Sequence, residues 1–222
     1  MMAKQEASAL DTSAIILAGG LSTRFGQDKG LLLLANKPLI KYVMNATSNL
    51  VNETLVVVSS ELQATNYTKV IGANARVLVD KGSVRCPLVG VLTGFEEAHG
   101  KHSILVPCDT PFISREILSL LLELCPNKTA VIPRWPNGYI EPLQAVYHTK
   151  SVAHVTAEAL KEGKTNMQCM IDKLHGVRYV STLVLQQLDP ELKTFMNINN
   201  VLDLKKAETM LKRNKNRVWK RV

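Results

Sequence analysis

Residues 14–30 read AIILAGGLSTRFGQDKG, and the fold depends on how that stretch is parsed. Ala14, Ile15, Ile16 and Leu17 form a short apolar run of the kind that suits a strand buried on both faces. Gly19 and Gly20 end it, and Ser22, Thr23, Arg24, Gly26, Asp28 and Lys29 follow. The strand therefore leads into a turn that is flexible, hydroxyl-rich and cationic. Adjacent glycines permit positive φ and close approach of backbone to ligand, so that successive N–H groups form an anion-binding nest. Arg24 adds a planar fork matched to phosphate oxygens, and Lys29 a compact positive charge. The spacing is neither GxxxxGK[ST] nor GxGxxG, which excludes a P-loop and the dinucleotide fingerprint. A Gly-Gly pair alone only turns a corner. Two cations beyond it call for an anion.

Similar runs recur along the chain at residues 54–59 (TLVVVS), 76–79 (RVLV), 103–106 (SILV), 129–132 (TAVI) and 143–147 (LQAVY). Helical patterns separate them: 38–49, entered through a proline, then 89–98 and 114–124. In the last, Ser114 is a cap, and Ile117, Leu118 and Leu121 form a buried face. Continuous apolar strands alternating with helices predict an α/β fold, a doubly wound, mostly parallel sheet with helices on both faces. Ligands of such sheets bind beyond the C-terminal strand ends. The unusual residues collect there: AGGLSTRFGQDK after the first strand, DKGSVRCP from Asp80 after the third, and PCDTP with Asp109 after the fourth. PRWPNGYIEP, with Arg134 and Glu141, follows the fifth.

Length and composition set the bounds. A chain of 222 residues is most economically one domain, burying roughly 70% of its unfolded surface. Its four cysteines, Cys86, Cys108, Cys125 and Cys169, form no CxxC pair and no zinc spacing, which suits reduced thiols in the cytoplasm. The first residues, MMAKQEASALDTS, are charged and lack the apolar core of a signal peptide. No uncharged run approaches the about 18 residues that span a bilayer, so no membrane partner is expected. The net charge of +8 is localised: residues 205–222 hold eight Lys/Arg against Glu208 alone, which leaves the body almost neutral. The expected division is a body of residues 1–204 and a basic C-terminal helix or tail, 205–222. The tail reads as the solvated end of a terminal helix rather than as a nucleic-acid site.

LAGGLSTRFGQDKG resembles the LAGGxSxRxGxDK signature of the molybdenum cofactor guanylyltransferases (molybdopterin nucleotidyltransferases). VDKGSVRCPLVGVLTG, PCDTPFIS, EPLQAVYH and FMNINNVLDL resemble further segments of that family, in the same order, over about residues 14–204. The resemblance implies a Rossmann-like fold of the nucleotide-diphospho-sugar transferase kind. It also implies transfer of GMP from GTP to molybdopterin already carrying molybdenum, with Mg²⁺ required and pyrophosphate released. Molybdoenzymes or cofactor-delivery proteins would be further partners. Transferred residue by residue, Leu17, Ala18, Gly19 and Gly20 would meet the nucleotide through the backbone, and Lys29 its phosphates. Asp80 would contact the guanosine end, Asp109 would hold Mg²⁺, and Arg24, Lys29 and Asp109 would be the catalytic set. Glu141, Asn197 and Asn199 fall on the same rim by this analogy. The LAGG spelling favours GTP over CTP. Two departures stand out: Cys86-Pro87-Leu88-Val89-Gly90 replaces the family's Gly-Pro-Leu-Ala-Gly, and Ser59-Ser60 replaces an Asn usual after the second strand.

The chemistry is consistent with these parts. A phosphate nucleophile is already ionised, so positioning and charge stabilisation matter more than a general base. Three alternatives stay open on sequence alone. One is a CTP- or GTP-dependent transferase acting on another phosphorylated acceptor, another a non-catalytic nucleotide-binding protein that delivers cofactor. The third, a nucleic-acid binder, rests on the tail only.

Overall fold

The structure, a computed structural model, describes residues 11–19, 26–80 and 86–219, the stretch 213–219 by its backbone only. Gly20 and Arg24 lie outside the described residues. The first strand, β1 (Thr12–Leu17), is followed by a small hairpin, β2 (Leu33–Leu34) and β3 (Lys37–Pro38), and by α1 (Leu39–Thr47). Next come β4 (Glu53–Val58), α2 (Glu61–Ile71), β5 (Arg76–Val79), α3 (Pro87–Glu97), β6 (His102–Pro107) and α4 (Arg115–Glu123). β7 (Ala130–Arg134) and β8 (Ala145–His148) precede α5 (Thr149–Lys161) and α6 (Met167–Asp172). β9 (Val177–Ser181), α7 (Thr182–Leu185) and α8 (Val201–Trp219) complete the chain.

The main sheet has seven strands in the order β5-β4-β1-β6-β8-β7-β9. β1 pairs in parallel with β4 and β6, β4 with β5, and β7 with β9. β8 is the exception, antiparallel to both neighbours. The sheet is mostly parallel, as predicted. The run read at 143–147 is the strand that reverses, because residues 135–144 are too short a connection for the crossover that parallel strands need.

Alternation along the strands distributes the apolar side chains to two faces. Ile16, Val56, Val58 and Val106 pack with Ile40, Val43, Tyr67 and Ile117, from α1, α2 and α4. Ile15, Leu55, Val57 and Leu105 pack with Leu88, Val91, Phe95 and Val152, from α3 and α5. Helices thus cover both faces, which makes the fold doubly wound. The caps follow local rules: Ser114 accepts the Ile117 N–H at 3.2 Å, and Pro87 opens α3, where its missing N–H costs nothing.

A third cluster joins Leu34 and Leu39 to Ile198 and Ala207, with Leu204 and Leu211 packed against it. α8 therefore runs across the division placed at 204/205 and carries Ala207 into the core. Among the described residues no helix is long and apolar enough to cross a membrane.

Candidate active site

Four strand ends meet on one edge of the sheet. Leu17 ends β1 and Ala18 and Gly19 follow it, Ser59 and Ser60 follow β4, Asp80 follows β5, and Asp109 follows β6. All four strands are parallel, so these residues share the C-terminal side where α/β sheets bind ligands.

Leu17 and Ala18 are set by the ladder itself. The Leu17 carbonyl accepts from Cys108 N–H at 3.0 Å, and Ala18 N–H donates to the Val57 carbonyl at 2.8 Å. Gly19 corrects one expectation. Its φ is not in the left-handed region, whereas Gly26 beyond the loop has φ 65°. What Gly19 must lack is a Cβ, which would collide with Ser59 Oγ. Asp80 is tied through its backbone, its N–H donating to the Val58 carbonyl at 2.8 Å.

The closest convergence is around Lys29. Its ammonium donates to Asp109 Oδ2 at 3.2 Å and to Asn199 Oδ1 at 2.7 Å. These three residues are far apart in sequence. The Ile198 N–H donates to the Asp109 carbonyl at 2.9 Å, which fastens the segment before α8 to the end of β6. Asp109 is 9% exposed, and its buried Oδ1 has no hydrogen-bond partner among the described residues. A buried carboxylate oxygen without a donor is costly, and a ligand, water or cation at this atom would relieve the cost. Among the described residues no hydrogen bond or ion pair joins Asp80 to the Lys29–Asp109 pair.

Asn199 carries a role that the sequence obscured. In the run Asn197-Ile198-Asn199-Asn200, the cap is Asn200, whose Oδ1 accepts from Leu202 and Asp203 N–H groups at 2.8 and 3.0 Å. Asp203 returns the bond to the Asn199 and Asn200 amides, completing a reciprocal capping box. Asn199 is thereby left to meet Lys29.

Beneath the site lie Cys108 and Tyr67. Burial, reinforced by the neighbouring Asp109 charge, pushes the Cys108 thiol up to about 12, so it is no thiolate nucleophile at neutral pH. Further along the edge, Trp135 Nε1 donates to Glu141 Oε1 at 2.7 Å, and burial raises the Glu141 carboxyl. Arg134 turns away to stack on Tyr179, 5.3 Å from the ring centre. Among the described residues no three His, Cys, Asp or Glu gather to hold a metal. A metal at Asp109 would therefore need further ligands, and triphosphate oxygens are the natural ones.

Comparison with known proteins accords with this geometry. Residues 14–177 match the MobA-like NTP transferase domain family. A probable molybdenum cofactor guanylyltransferase from Methanosarcina mazei is 32% identical over 197 residues, covering 86% of this chain and 88% of that one. A molybdenum cofactor guanylyltransferase from Desulfosudis oleivorans is 31% identical, covering 90% of this chain and 96% of its own. Among solved structures, the molybdopterin-guanine dinucleotide biosynthesis protein A of Archaeoglobus fulgidus superposes with a TM-score of 0.76 at 27% identity. That match covers 90% of this chain and 99% of that one. The 2-C-methyl-D-erythritol 4-phosphate cytidylyltransferase of Thermus thermophilus shares the fold, at a TM-score of 0.65 and 19% identity. With a strand-end site built on this sheet and most of its length matched, the chain belongs to the family of MobA-like NTP transferase domains.

Proposed function

We propose that the protein transfers GMP from GTP to molybdenum-bearing molybdopterin and releases pyrophosphate. The observation that carries this reading is the Lys29 ammonium held between Asp109 and Asn199, beside a buried Asp109 oxygen with no partner among the described residues. A terminal phosphate oxygen of the acceptor attacks the α-phosphorus in line, and the bond to pyrophosphate breaks. Negative charge approaches a triphosphate and more develops on the leaving group, so the demand on the protein is electrostatic. Lys29 meets the phosphates, with Asp109 and Asn199 holding its ammonium in place. The strand-end backbone at Leu17, Ala18 and Gly19 sets the nucleotide's depth, and Asp80 takes the guanosine end. Gly20 and Arg24 complete the loop in this reading.

Mg²⁺ fits the oxygen chemistry of the site. Asp109 Oδ1 would hold it together with triphosphate oxygens, and the ion would neutralise phosphate charge. GTP rather than CTP rests on the LAGG spelling and on the names of the relatives. The cytoplasm is the compartment that suits four cysteines that are all free. The product would pass to molybdoenzymes or to proteins that deliver cofactor to them.

Two substitutions test the assignment through GTP binding and pyrophosphate release. Lys29→Ala should raise the Kd for GTP about tenfold or more while changing guanosine affinity little, since a charge-assisted bond is worth about 1.5–3 kcal/mol. Asp109→Asn is nearly isosteric and should leave Tm almost unchanged. It should cost about a hundredfold in turnover, eased in part by high Mg²⁺. Equal losses for GTP and guanosine, or an Asp109→Asn effect confined to Tm, would count against the reading.

A further inference from the structure

We propose that Gln63 is a positioning residue for the phosphate-binding lysine: its side-chain amide clamps Asp28 to the end of β4 and so fixes where Lys29 enters the site. The proposal rests on the nucleotidyl transfer put forward above. Gln63 Oε1 accepts the Ser59 N–H at 2.8 Å, and Gln63 Nε2 donates to Asp28 Oδ1 at 2.5 Å. One end of the amide faces a donor and the other an acceptor, so its orientation is determined. Ser59 is also the residue against which Gly19 is packed. The two chain segments that flank the glycine-rich turn, Gly19 on one side and Asp28 on the other, thus meet the same β4–α2 junction.

Part of this is ordinary helix capping. Ser60 Oγ accepts the Gln63 N–H at 3.2 Å, and S-x-x-Q is a capping-box pattern. Capping accounts for the Ser60 bond, but a capping box would return to the Ser60 N–H, whereas Gln63 reaches one residue further back, to Ser59, and also to Asp28. In a capping box Glu serves as well as Gln; beside Asp28 it would place two carboxylates in contact. Asp28 itself stands before the short 3-10 turn Lys29–Leu31 yet makes no cap bond with its side chain, which is turned to Gln63 instead. One helical turn along the same face of α2, Tyr67 lies under Gly30, where a Cβ would collide with its hydroxyl. α2 therefore grips the residues on both sides of Lys29. Between them, the lysine is directed at Asp109 and Asn199.

Gln63→Glu in the full-length protein separates clamp from cap, because a carboxylate still accepts the Ser59 N–H. With both carboxyls ionised at pH 8, kcat/KM for GTP should fall to about a tenth of wild type or less. At pH 5.5 the pair shares a proton, the clamp re-forms and the ratio to wild type should climb towards one. Adding Asp28→Asn supplies an amide donor to the new carboxylate and should restore pH 8 activity to within about threefold. Amide exchange of Lys29, Gly30 and Leu31 in the nucleotide-free protein should quicken about tenfold in Gln63→Glu at pH 8. A ratio near one at both pH values would overturn the proposal. So would a deficit that neither acid nor Asp28→Asn relieves, a change in Tm alone, or unaltered exchange. A wild type that fails to turn over GTP would overturn the proposed reaction instead, with the exchange measurement still deciding the clamp.

Discussion

Gly19 matters for the side chain it does not have. Its neighbour Ser59 occupies the place where a Cβ would go, and the Ser59 N–H is already committed to Gln63. Gly19→Ala should therefore turn the Ser59 hydroxyl aside, crowd the Ser59 N–H and weaken GTP binding severalfold, by misplacement of the backbone. Ser59→Ala removes the colliding hydroxyl and should recover much of that loss in the double variant, with isothermal calorimetry on the four proteins as the measurement. If the double variant binds no better than Gly19→Ala, the hydroxyl is not the obstacle. At the same scale, Asn199 and Asn200 show how a single position divides structure from chemistry. One caps α8 and its neighbour reaches Lys29.

Elements position these residues, and α8 does so from the far end of the chain. Its first turn is locked by Asn200 and Asp203, its middle buries Ala207, and Leu211 packs on the cluster of Leu34, Leu39 and Ile198. Ending the chain after Lys212 should leave Tm and turnover nearly intact. Ending it after Leu204 removes roughly 2–3 kcal/mol of apolar packing and should lower Tm by about 5–10 °C. Turnover should drop with it, because Ile198 and Asn199 lose their support; a Leu204 truncation with unchanged Tm would contradict this. The sequence revealed some elements more clearly than others. β1, β4 and β6 are continuous apolar runs, and Ser114 announces α4, so these could be read directly. α2 could not: of Glu61–Ile71 only Tyr67 and Ile71 are buried, and its contribution to the site is a polar bond to a residue 35 positions away. β9 is equally quiet, an edge strand with Tyr179 largely exposed. The reversal of β8 depends on a connection length, which apolar patterning does not display. In the site, Lys29 and Asp109 stood out because charge beside a strand end is conspicuous, whereas Asn199 and Gln63 are ordinary polar residues until the fold brings partners to them.

At the scale of the whole molecule, the sheet separates two kinds of end. On one edge lie Gly19, Ser59, Asp80, Lys29 and Asp109; at the other, Glu53 accepts from Ser13 Oγ at 2.6 Å and pairs with His99 and Arg76. Burial opposes ionisation of Glu53, but the Ser13 and His99 hydrogen bonds outweigh it and hold its carboxyl below the usual range. At that end the Glu53 carboxylate is satisfied within the chain. The site edge instead retains a buried carboxylate oxygen with no donor among the described residues, and a lysine paired with the same carboxylate. This asymmetry is what a ligand that brings its own cation and phosphates would complete. The most direct measurement incubates the protein with molybdenum-loaded molybdopterin, Mg²⁺ and either GTP or CTP labelled at the α-phosphate, and identifies the labelled product. The expected result is label joined to the pterin as its guanine dinucleotide, with one pyrophosphate released per product and little transfer from CTP. Label that stays in GTP, or passes preferentially from CTP, would contradict the account.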